Sequence, residues 1–292
     1  MKTSITSKII LNAIFLILSF CCLVPFFIII MVSISNEQDV VNFGYQIIPA
    51  HISFYAYKAL FADATAIIRA VLLTLASAFG GTAISLALCA MMAYPMAQPD
   101  FKFNKFVTLY MLITMLFSGG LMPQYIINTT ILGLKNNILV YFILTPVAAW
   151  TVILFRTFFK QIPPALIESA SIDGASQYNI LLKIILPMSK PIVGMQFVLG
   201  SVAKWNDWTV PLYYINDERL YNIQYFLQKV VNELSYLKDL YKDNPTFGNA
   251  DEIPVKTMQF ALCVIAIVPI LMVFPFVQKY FSKGIAVGSV KG

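Results

Sequence analysis

The chain has 292 residues, of which 59% are hydrophobic and 12% are charged, and its mean hydropathy is +0.76. A soluble domain carries about 25% charged residues, so this composition excludes an ordinary soluble protein and indicates a chain that crosses a membrane several times. In that setting the net charge of +6 relates to membrane topology and not to nucleic-acid binding.

Long apolar runs predict an all-α fold with six transmembrane helices in a single transmembrane domain, residues 1–292. The predicted spans are residues 9–33, 67–96, 106–127, 137–159, 191–213 and 257–281. A polar stretch, residues 160–190, separates the fourth span from the fifth. A charged loop rich in Tyr and Asn, residues 214–256, separates the fifth from the sixth.

The first predicted span, residues 9–33, contains no charged residue and follows Lys2 and Lys8. Its apolar core is longer than that of a signal peptide, so we expect a retained helix. Residues 36–39 are predicted to be an exposed turn. Residues 54–61 contain four aromatic side chains and one lysine, which fits either an amphipathic segment at the membrane interface or a solvated loop.

Glycine and proline interrupt two of the spans. Gly80 and Gly81 in the second span suit close helix packing. Gly119, Gly120 and Pro123 break the third span near its far end. Broken helices occur in membranes where backbone lines a cavity or is buried in protein, so this segment is either part of a transport pathway or a packing notch.

The sequence offers little for catalysis or metal binding. One histidine occurs, His51, and no G-x-x-x-x-G-K-[ST] phosphate loop occurs. We therefore predict a protein that is not an enzyme, has no metal site and binds no cofactor itself. The cysteines lie in apolar runs, which favours free thiols over disulfides or metal ligands; they are Cys21, Cys22, Cys89 and Cys263.

The polar stretch predicts a short helix, a sharp turn and a second short helix. Pro163 and Pro164 suit a helix start, and Gly174 suits the left-handed conformation that ends a helix. The second segment has an amphipathic stripe at helical spacing and is predicted to stop at Pro187. The stripe comprises Tyr178, Leu181, Leu182, Ile185 and Leu186.

This stretch resembles the EAA loop of ABC-importer permeases, whose pattern is E-A-A-x-x-D-G-A, about nine further residues, and I-x-L-P. The matching residues are Glu168, Ala170, Asp173, Gly174, Ala175, Ile184 and Pro187, and Ser169 replaces the usual alanine. In that family the loop is the coupling helix that seats in a groove of the ATPase subunit. The resemblance therefore implies that these residues couple the chain to a separate ATPase.

Three further segments resemble carbohydrate-type ABC permeases of the MalG-like branch, in its LplC/YtcP subgroup: residues 117–123, 205–212 and 283–292. The resemblance implies an oligosaccharide importer in which this chain forms half of the pathway and works by alternating access. It also implies a MalF-like second permease, two ATPase subunits that hold ATP and Mg, and an extracellular solute-binding protein. In that family the C-terminal tail can reach the ATPase dimer interface, and the tail here is compatible either with that role or with a disordered end.

Basic residues concentrate on the side that would hold both termini if the chain has six spans. Short loops rich in Lys and Arg stay in the cytoplasm, so we expect both termini and the coupling loop on the cytoplasmic side of a bacterial cell membrane. The residues on that side are Lys2, Lys8, Lys102, Lys105, Arg156, Lys160, Lys183, Lys190, Lys279, Lys283 and Lys291, eleven of the twenty basic residues.

Aromatic and polar side chains near the predicted outer ends of the third and fifth spans are candidates for sugar contact. They are Tyr125, Asn128, Trp205, Asn206, Asp207 and Trp208. Trp and Tyr also anchor helices at membrane interfaces, so anchoring is the alternative. Lys204 is a charge near membrane depth, where such residues are usually functional; it could also reach outward or pair with Asp207. Loop 214–256 is a candidate contact with the binding protein.

Two other classes of protein compete with the importer permease. A secondary transporter or channel that works alone would typically show more spans and internal repeats, and it has no use for a docking helix. A membrane enzyme lacks support because no catalytic constellation is evident. An ATPase that co-purifies in fixed proportion would distinguish the first class from both alternatives.

Overall fold

A computed structural model describes residues 5–144, 146–244 and 253–288, with side chains described for all of these except residues 5–7, 63 and 273–288. Every named element in these ranges is helical, and the extended backbone contributes one isolated antiparallel bridge, between Ser35 and Ile52. The all-α prediction is confirmed. Of the tail 283–292, the side chains and the last four residues lie outside the described part.

The α-helices are α1 (Ile5–Ser33), α2 (Glu37–Phe43), α3 (Tyr55–Leu60), α4 (Ala64–Leu75), α5 (Gly81–Ala97), α6 (Asn104–Leu116), α7 (Leu121–Ile126), α8 (Val140–Ile143), α9 (Ala149–Phe159), α10 (Pro164–Ile172), α11 (Gln177–Ile180), α12 (Leu186–Met188), α13 (Lys190–Trp205), α14 (Thr209–Tyr214), α15 (Ile223–Asp243) and α16 (Val255–Gly288). Three wider π-helical segments adjoin them: Ala76–Gly80, Ile127–Ile131 and Leu181–Ile185. Two short 3₁₀ turns are Phe61–Asp63 and Glu218–Leu220.

Three helical runs in the described part of the chain are long and apolar enough to cross a membrane: Lys8–Ser33, Ala64–Ala97 and Val255–Met272. They correspond to the first, second and sixth predicted spans. Two bent helix pairs pass the same test together, which gives up to five spans if each pair is one crossing. A membrane-spanning fold is confirmed, and the count of six stays a prediction.

The third span is broken where its glycines predict. Helix α6 ends at Leu116, and the chain resumes at Leu121 after a bend of 111°. Gly120 has φ +86°, a left-handed conformation that side chains disfavour. Pro123 lies inside α7 and is not itself the break.

The segments predicted as the fourth and fifth spans each contain a break in the helix. In the fourth, α8 and α9 are separated at Pro146, whose ring nitrogen has no hydrogen to donate to the helical ladder. In the fifth, α13 ends at Trp205 and α14 begins at Thr209, because Asp207 caps the new helix. The fifth span also meets the preceding helix at 82°, with Ser189 at the bend.

The chain forms two compact units. The first combines described residues of Met1–Ile67 with those of Phe226–Pro269, and the second combines those of Ile68–Tyr225 and Ile270–Gly292. In the second unit, small residues on α5 allow close packing against the large side chains of α9. Cys89, Ala90 and Ala93 of α5 are buried in the same core as Val152 and Phe155 of α9.

The prediction of an exposed turn at residues 36–39 is wrong. Glu37 is 7% exposed and begins helix α2. Its carboxylate accepts hydrogen bonds from the backbone amides of Lys256 and Thr257, at 3.0 and 2.8 Å, and from the Thr257 hydroxyl at 2.7 Å. These amides are among the first of α16, which have no partner inside their own helix. Glu37 therefore caps a helix that begins more than two hundred residues later.

Loop 214–256 contains a helix that we did not anticipate, α15. Apolar residues at helical spacing, including Phe226, Leu227, Val230 and Leu234, were the available signal. Leu227 is buried, whereas Tyr236 and Leu237 are exposed. The abundance of charge and Tyr had suggested an irregular loop.

Candidate functional site

Residues 164–188, here named the coupling element, form the predicted helix, turn and helix. Gly174 has φ +81° and follows α10. The Gly174 amide donates to the Ser171 carbonyl at 3.1 Å, and the Ala175 amide donates to the Ala170 carbonyl at 2.9 Å. This pair of bonds is the Schellman arrangement that closes a helix through a left-handed residue.

The second helix of the coupling element starts immediately after the turn. The Ser176 hydroxyl accepts a hydrogen bond from the Asn179 amide at 3.3 Å, which caps α11. The helical path then continues through the π segment Leu181–Ile185 and ends at Met188, one residue beyond the predicted stop at Pro187. The whole bend is therefore formed by bonds between residues close in the sequence.

The predicted apolar stripe divides between core and solvent. Leu181 and Ile185 are buried, and Leu186 is half-buried. Tyr178 and Leu182 are 70% and 57% exposed. The wider turn of the π segment disrupts the regular helical spacing on which the stripe was predicted.

The motif residues of the coupling element lie mostly at the surface. Glu168, Ser169, Asp173, Gly174 and Pro187 are exposed, and Ala170 and Ala175 are half-buried. Ile172, beside them at the end of α10, is 86% exposed. Exposed apolar side chains grouped with polar ones are typical of a protein-binding surface.

The rest of the coupling element is fixed to the helices behind it. Ile180, Leu181 and Ile185 are buried in the core that holds α5 and α9. The Tyr94 hydroxyl of α5 donates to Gln177 Oε1 at 2.7 Å. A displacement of the coupling element is therefore expected to carry α5 and α9 with it.

An open cleft of about 920 Å³ runs along the coupling element. Its lining combines Tyr94 and Phe101 with Glu168, Ile172 and Tyr178. The Arg156 guanidinium donates to the Met96 carbonyl at 3.1 Å, which holds the end of α5 beside this cleft. The cleft can receive a side chain or a helix end from another protein.

The candidates Tyr125 and Asn128 meet at Tyr214, a residue that the sequence analysis did not select. The buried Asn128 amide donates to the Tyr214 hydroxyl at 3.1 Å. The Tyr125 and Tyr214 rings stack with centroids 5.6 Å apart. Tyr214 lies in the apolar run that follows Pro211, and this aromatic position was the available signal.

The four consecutive candidates 205–208 do not share one surface. Trp205 is 4% exposed, whereas Trp208 is 45% exposed. Asn206 is exposed and accepts a hydrogen bond from the Gln224 side chain at 3.3 Å. Asp207 Oδ1 accepts bonds from the Thr209 amide and hydroxyl at 2.9 and 2.6 Å, so its carboxylate has a structural role in starting α14.

Lys204 lies immediately before the break between α13 and α14. It lines a second cleft of about 350 Å³. Its ammonium donates to the Tyr141 carbonyl at 3.2 Å. No Lys204–Asp207 salt bridge forms in the described part of the chain. The polar lining of this cleft is completed by Ser77, Asp207, Thr209 and Asn222.

The described residues contain no group of three or more His, Cys, Asp or Glu side chains that could hold a metal ion. The Nδ1 atom of His51 lies 3.0 Å from Asp39 Oδ2.

Comparison with known proteins matches residues 70–287 to the family of binding-protein-dependent transport system inner membrane components. A polygalacturonan/rhamnogalacturonan transport system permease protein, YtcP of Bacillus subtilis, is 32% identical over 277 residues, which cover 95% of each chain. Protein LplC of the same organism is 35% identical over 271 residues, covering 92% of this chain and 90% of LplC.

A solved structure agrees with these similarities. The chain superposes with a TM-score of 0.78 and 28% identity on a crystal structure of a bacterial ABC transporter involved in the import of the acidic polysaccharide alginate. The match covers 96% of this chain and 99% of that chain. The resemblance drawn from the coupling element and the other segments is confirmed.

Proposed function

Because this chain belongs to the family of binding-protein-dependent transport system inner membrane components, we propose that it forms half of the translocation pathway of an ABC importer for oligosaccharides. The names of similar proteins support the substrate class, since they include permeases for polygalacturonan, arabinooligosaccharides and melibiose, raffinose or stachyose. The chain itself is a multi-pass membrane protein without a catalytic role.

The proposed assembly has four kinds of partner. A second, MalF-like permease supplies the other half of the pathway, and two ATPase subunits bind ATP and Mg. An extracellular solute-binding protein delivers the oligosaccharide. Lipid surrounds the apolar outer surface, on which Leu16, Phe20 and Leu23 of α1 are more than half exposed.

The observation that carries the proposal is the coupling element. It presents Glu168 and Asp173 at the surface beside exposed Ile172 and Tyr178, while its inner side is buried against α5 and α9. Such an element transmits a push from a partner to the membrane helices. We expect Glu168 to meet a basic residue of the ATPase.

The mechanism is a shift between two packings of the permease pair. ATP binding closes the ATPase subunits, and the closed arrangement favours one orientation of the seated coupling element. The attached helices then rock from an inward-open to an outward-open arrangement. ATP contributes only to the extent that it binds one arrangement better than the other.

We place the coupling element and both termini in the cytoplasm, where ATP is available. The support is the excess of Lys and Arg in the short loops on that side. Reaction of single cysteines in intact cells with a membrane-impermeant thiol reagent tests this orientation. Labelling of Ser176→Cys by the reagent in intact cells would contradict it.

Uptake and ATP hydrolysis in vesicles that hold the whole importer test the function. Glu168→Ala and Gly174→Pro are expected to leave the complex in the membrane and to abolish most of the uptake. Gly174→Pro is the stronger change because proline cannot adopt φ +81°. Lys105→Ala, which removes an exposed charge on α6 outside the coupling element, is the control. Unchanged uptake in both coupling-element variants would refute the assignment.

A transporter or channel that works alone is the second candidate. It predicts solute flux without ATP and without a co-purifying ATPase. The similarity to an ABC transporter over almost the whole chain favours the importer permease over this alternative.

A further inference from the structure

We propose that the Lys204 cleft binds the carboxylate of an acidic saccharide, so that this chain contributes directly to selecting sugar acids. The inference rests on the proposed function as an oligosaccharide permease. It adds a chemical class of substrate and one residue that recognises it.

The position of Lys204 is unusual for an unpaired cation. It lies near the end of α13, in the apolar fifth span, and is half-buried. A cation at such a depth costs free energy unless it faces a polar cavity or a partner. Within the described part of the chain its hydrogen bond is to one neutral carbonyl, that of Tyr141. An ammonium has three donors, so two remain available to a ligand.

Neighbouring backbone holds the ammonium in place. A side chain at Gly81 would place its Cβ 3.3 Å from the Lys204 Nζ and 3.3 Å from the Tyr141 carbonyl oxygen. Glycine at this position therefore leaves the room that the ammonium occupies. The Tyr141 carbonyl belongs to α8, a four-residue helix, and the carbonyls at a helix end are natural partners for a cation.

The nearby carboxylate does not neutralise Lys204 by direct contact. Asp207 lines the same cleft, but its Oδ1 accepts from the Thr209 amide, the Thr209 hydroxyl and the Val210 amide at 2.9, 2.6 and 3.3 Å. The start of α14 also favours a negative charge at this place. These donors are neutral, so Asp207 keeps its charge and acts on Lys204 through space. It makes no direct contact with the ammonium, whose remaining donors stay open to a ligand.

The remaining lining fits a sugar ring with polar substituents. Ser77, Thr209 and Asn222 offer polar side chains, and Val140, Leu144, Ala203 and Val210 offer apolar surface. The volume of about 350 Å³ lies at the lower end of ligand sites, which span about 300–1,000 Å³. This suits a short saccharide segment and not a large cofactor.

Two irregular helical segments contribute to the lining of the cleft. Ser77 belongs to the π segment Ala76–Gly80, and π segments inside helices are frequent at functional sites. Asp207 belongs to the break between α13 and α14. In membranes, broken helices occur where backbone lines a cavity or a binding site. Both irregularities are accounted for if the cleft holds substrate.

The similarity to an importer of the acidic polysaccharide alginate is consistent with an anionic ligand. The charge of Lys204 makes a preference for acidic over neutral saccharides testable. A neutral sugar needs hydrogen-bond donors but gains little binding free energy from a full positive charge. A carboxylate gains a charge-assisted bond, and such bonds contribute about twice as much as neutral ones.

The test compares digalacturonate with galactobiose, its neutral counterpart, as substrates for vesicles that contain the complete importer and its binding protein. Lys204→Gln is expected to lower the uptake of digalacturonate at least about tenfold, as for the loss of a charged hydrogen-bond partner, and to lower galactobiose uptake much less. Lys204→Arg is expected to retain most digalacturonate uptake. Lys135→Gln, an exposed lysine outside the cleft, is the matched control.

A second measurement needs no variant. Digalacturonate is expected to raise the thermal midpoint of the wild-type complex without its binding protein, and galactobiose to raise it less, because a ligand stabilises the folded state that binds it. No shift with digalacturonate would overturn the inference. So would an equal loss of both sugars in Lys204→Gln, or a wild type that imports galactobiose alone.

These outcomes are separate from failure of the proposed function. If the importer moves galactobiose in an ATP-dependent way and Glu168→Ala abolishes that uptake, the permease assignment holds whatever Lys204 does. If no saccharide moves and no ATPase co-purifies, the assignment itself fails, and the inference about Lys204 fails with it.

Discussion

The coupling element and the Lys204 cleft belong to the same compact unit, yet they are built in opposite ways. The coupling element is formed by bonds between near neighbours, such as that from the Ala175 amide to the Ala170 carbonyl. Around the cleft, Lys204 reaches Tyr141 over 63 residues, and the Ile223 amide reaches the Thr74 hydroxyl over 149 residues. An element whose hydrogen bonds join near neighbours, such as the coupling element, is expected to keep its conformation when it moves as a whole. A cleft lined by distant segments is expected to change its shape when those segments move relative to one another.

That difference suits the two proposed roles. A piece that transmits a push must stay rigid, and the Schellman turn and the Ser176 cap make the bend so. A site that binds and then releases a sugar must be open to change. Three predictions examine this comparison, ordered from the largest expected effect to the smallest.

The largest effect is expected where one long-range contact supports a whole helix end. Glu37→Ala removes a buried acceptor from two amides and one hydroxyl, and we expect a loss of about 3 kcal/mol in the free energy of unfolding. Unfolding by SDS in mixed micelles measures it. Glu37→Gln keeps one acceptor oxygen and should lose less. If Glu37→Ala unfolds at the same SDS fraction as wild type, long-range caps are less important than we infer.

A smaller effect is expected where α13 approaches α5. A Cβ at Gly200 would lie 2.8 Å from the Thr82 Cγ2, so Gly200→Ala must turn the Thr82 side chain or separate the two helices. We expect a loss of about 1–3 kcal/mol in the free energy of unfolding. Gly119→Ala is the matched control, because its Cβ meets nothing within 4 Å. Equal losses for the two alanines in the same micelle assay would show that close packing does not shape the cleft side of this unit.

The smallest change tests the link between the coupling element and α5. Tyr94→Phe removes the hydrogen bond to Gln177 at 2.7 Å, which contributes about 1 kcal/mol. We expect little change in the free energy of unfolding but more ATP hydrolysed for each sugar imported. The reason is that a movement of the coupling element would be transmitted less completely to α5. Tyr110→Phe, an exposed tyrosine of α6, is the control. An unchanged ratio of ATP to sugar would mean that the buried apolar residues carry the link alone.

The same contrast explains how much could be predicted from the sequence. The coupling element was predicted almost to the residue, because Pro164 and Gly174 act locally on the helix start and on the turn. Only its apolar stripe and its last residue differed, since a π segment shifts the spacing there. Long apolar runs likewise predicted the first, second and sixth spans.

One error falls where distant residues decide the outcome, and two others had a local signal. Asn36 to Asp39 have the composition of an exposed turn, and nothing near them in the sequence indicates the amides of α16 that bury Glu37. Pro146 was a local signal for the break in the fourth span that we passed over. Asp207 was selected as a sugar ligand for its chemistry. An aspartate just before a helix start also suits a cap, and Asp207 Oδ1 accepts a hydrogen bond from the Thr209 amide.

The cap at Glu37 has a consequence for biogenesis. Its acceptor oxygens are synthesised early, and the amides that they bind, 219 and 220 residues further on, emerge from the ribosome much later. Until these amides are synthesised, the Glu37 carboxylate lacks the hydrogen bonds that they donate and needs water or lipid headgroups as partners. The contacts that bury Glu37 in the first compact unit can therefore form only after most of the chain has been translated.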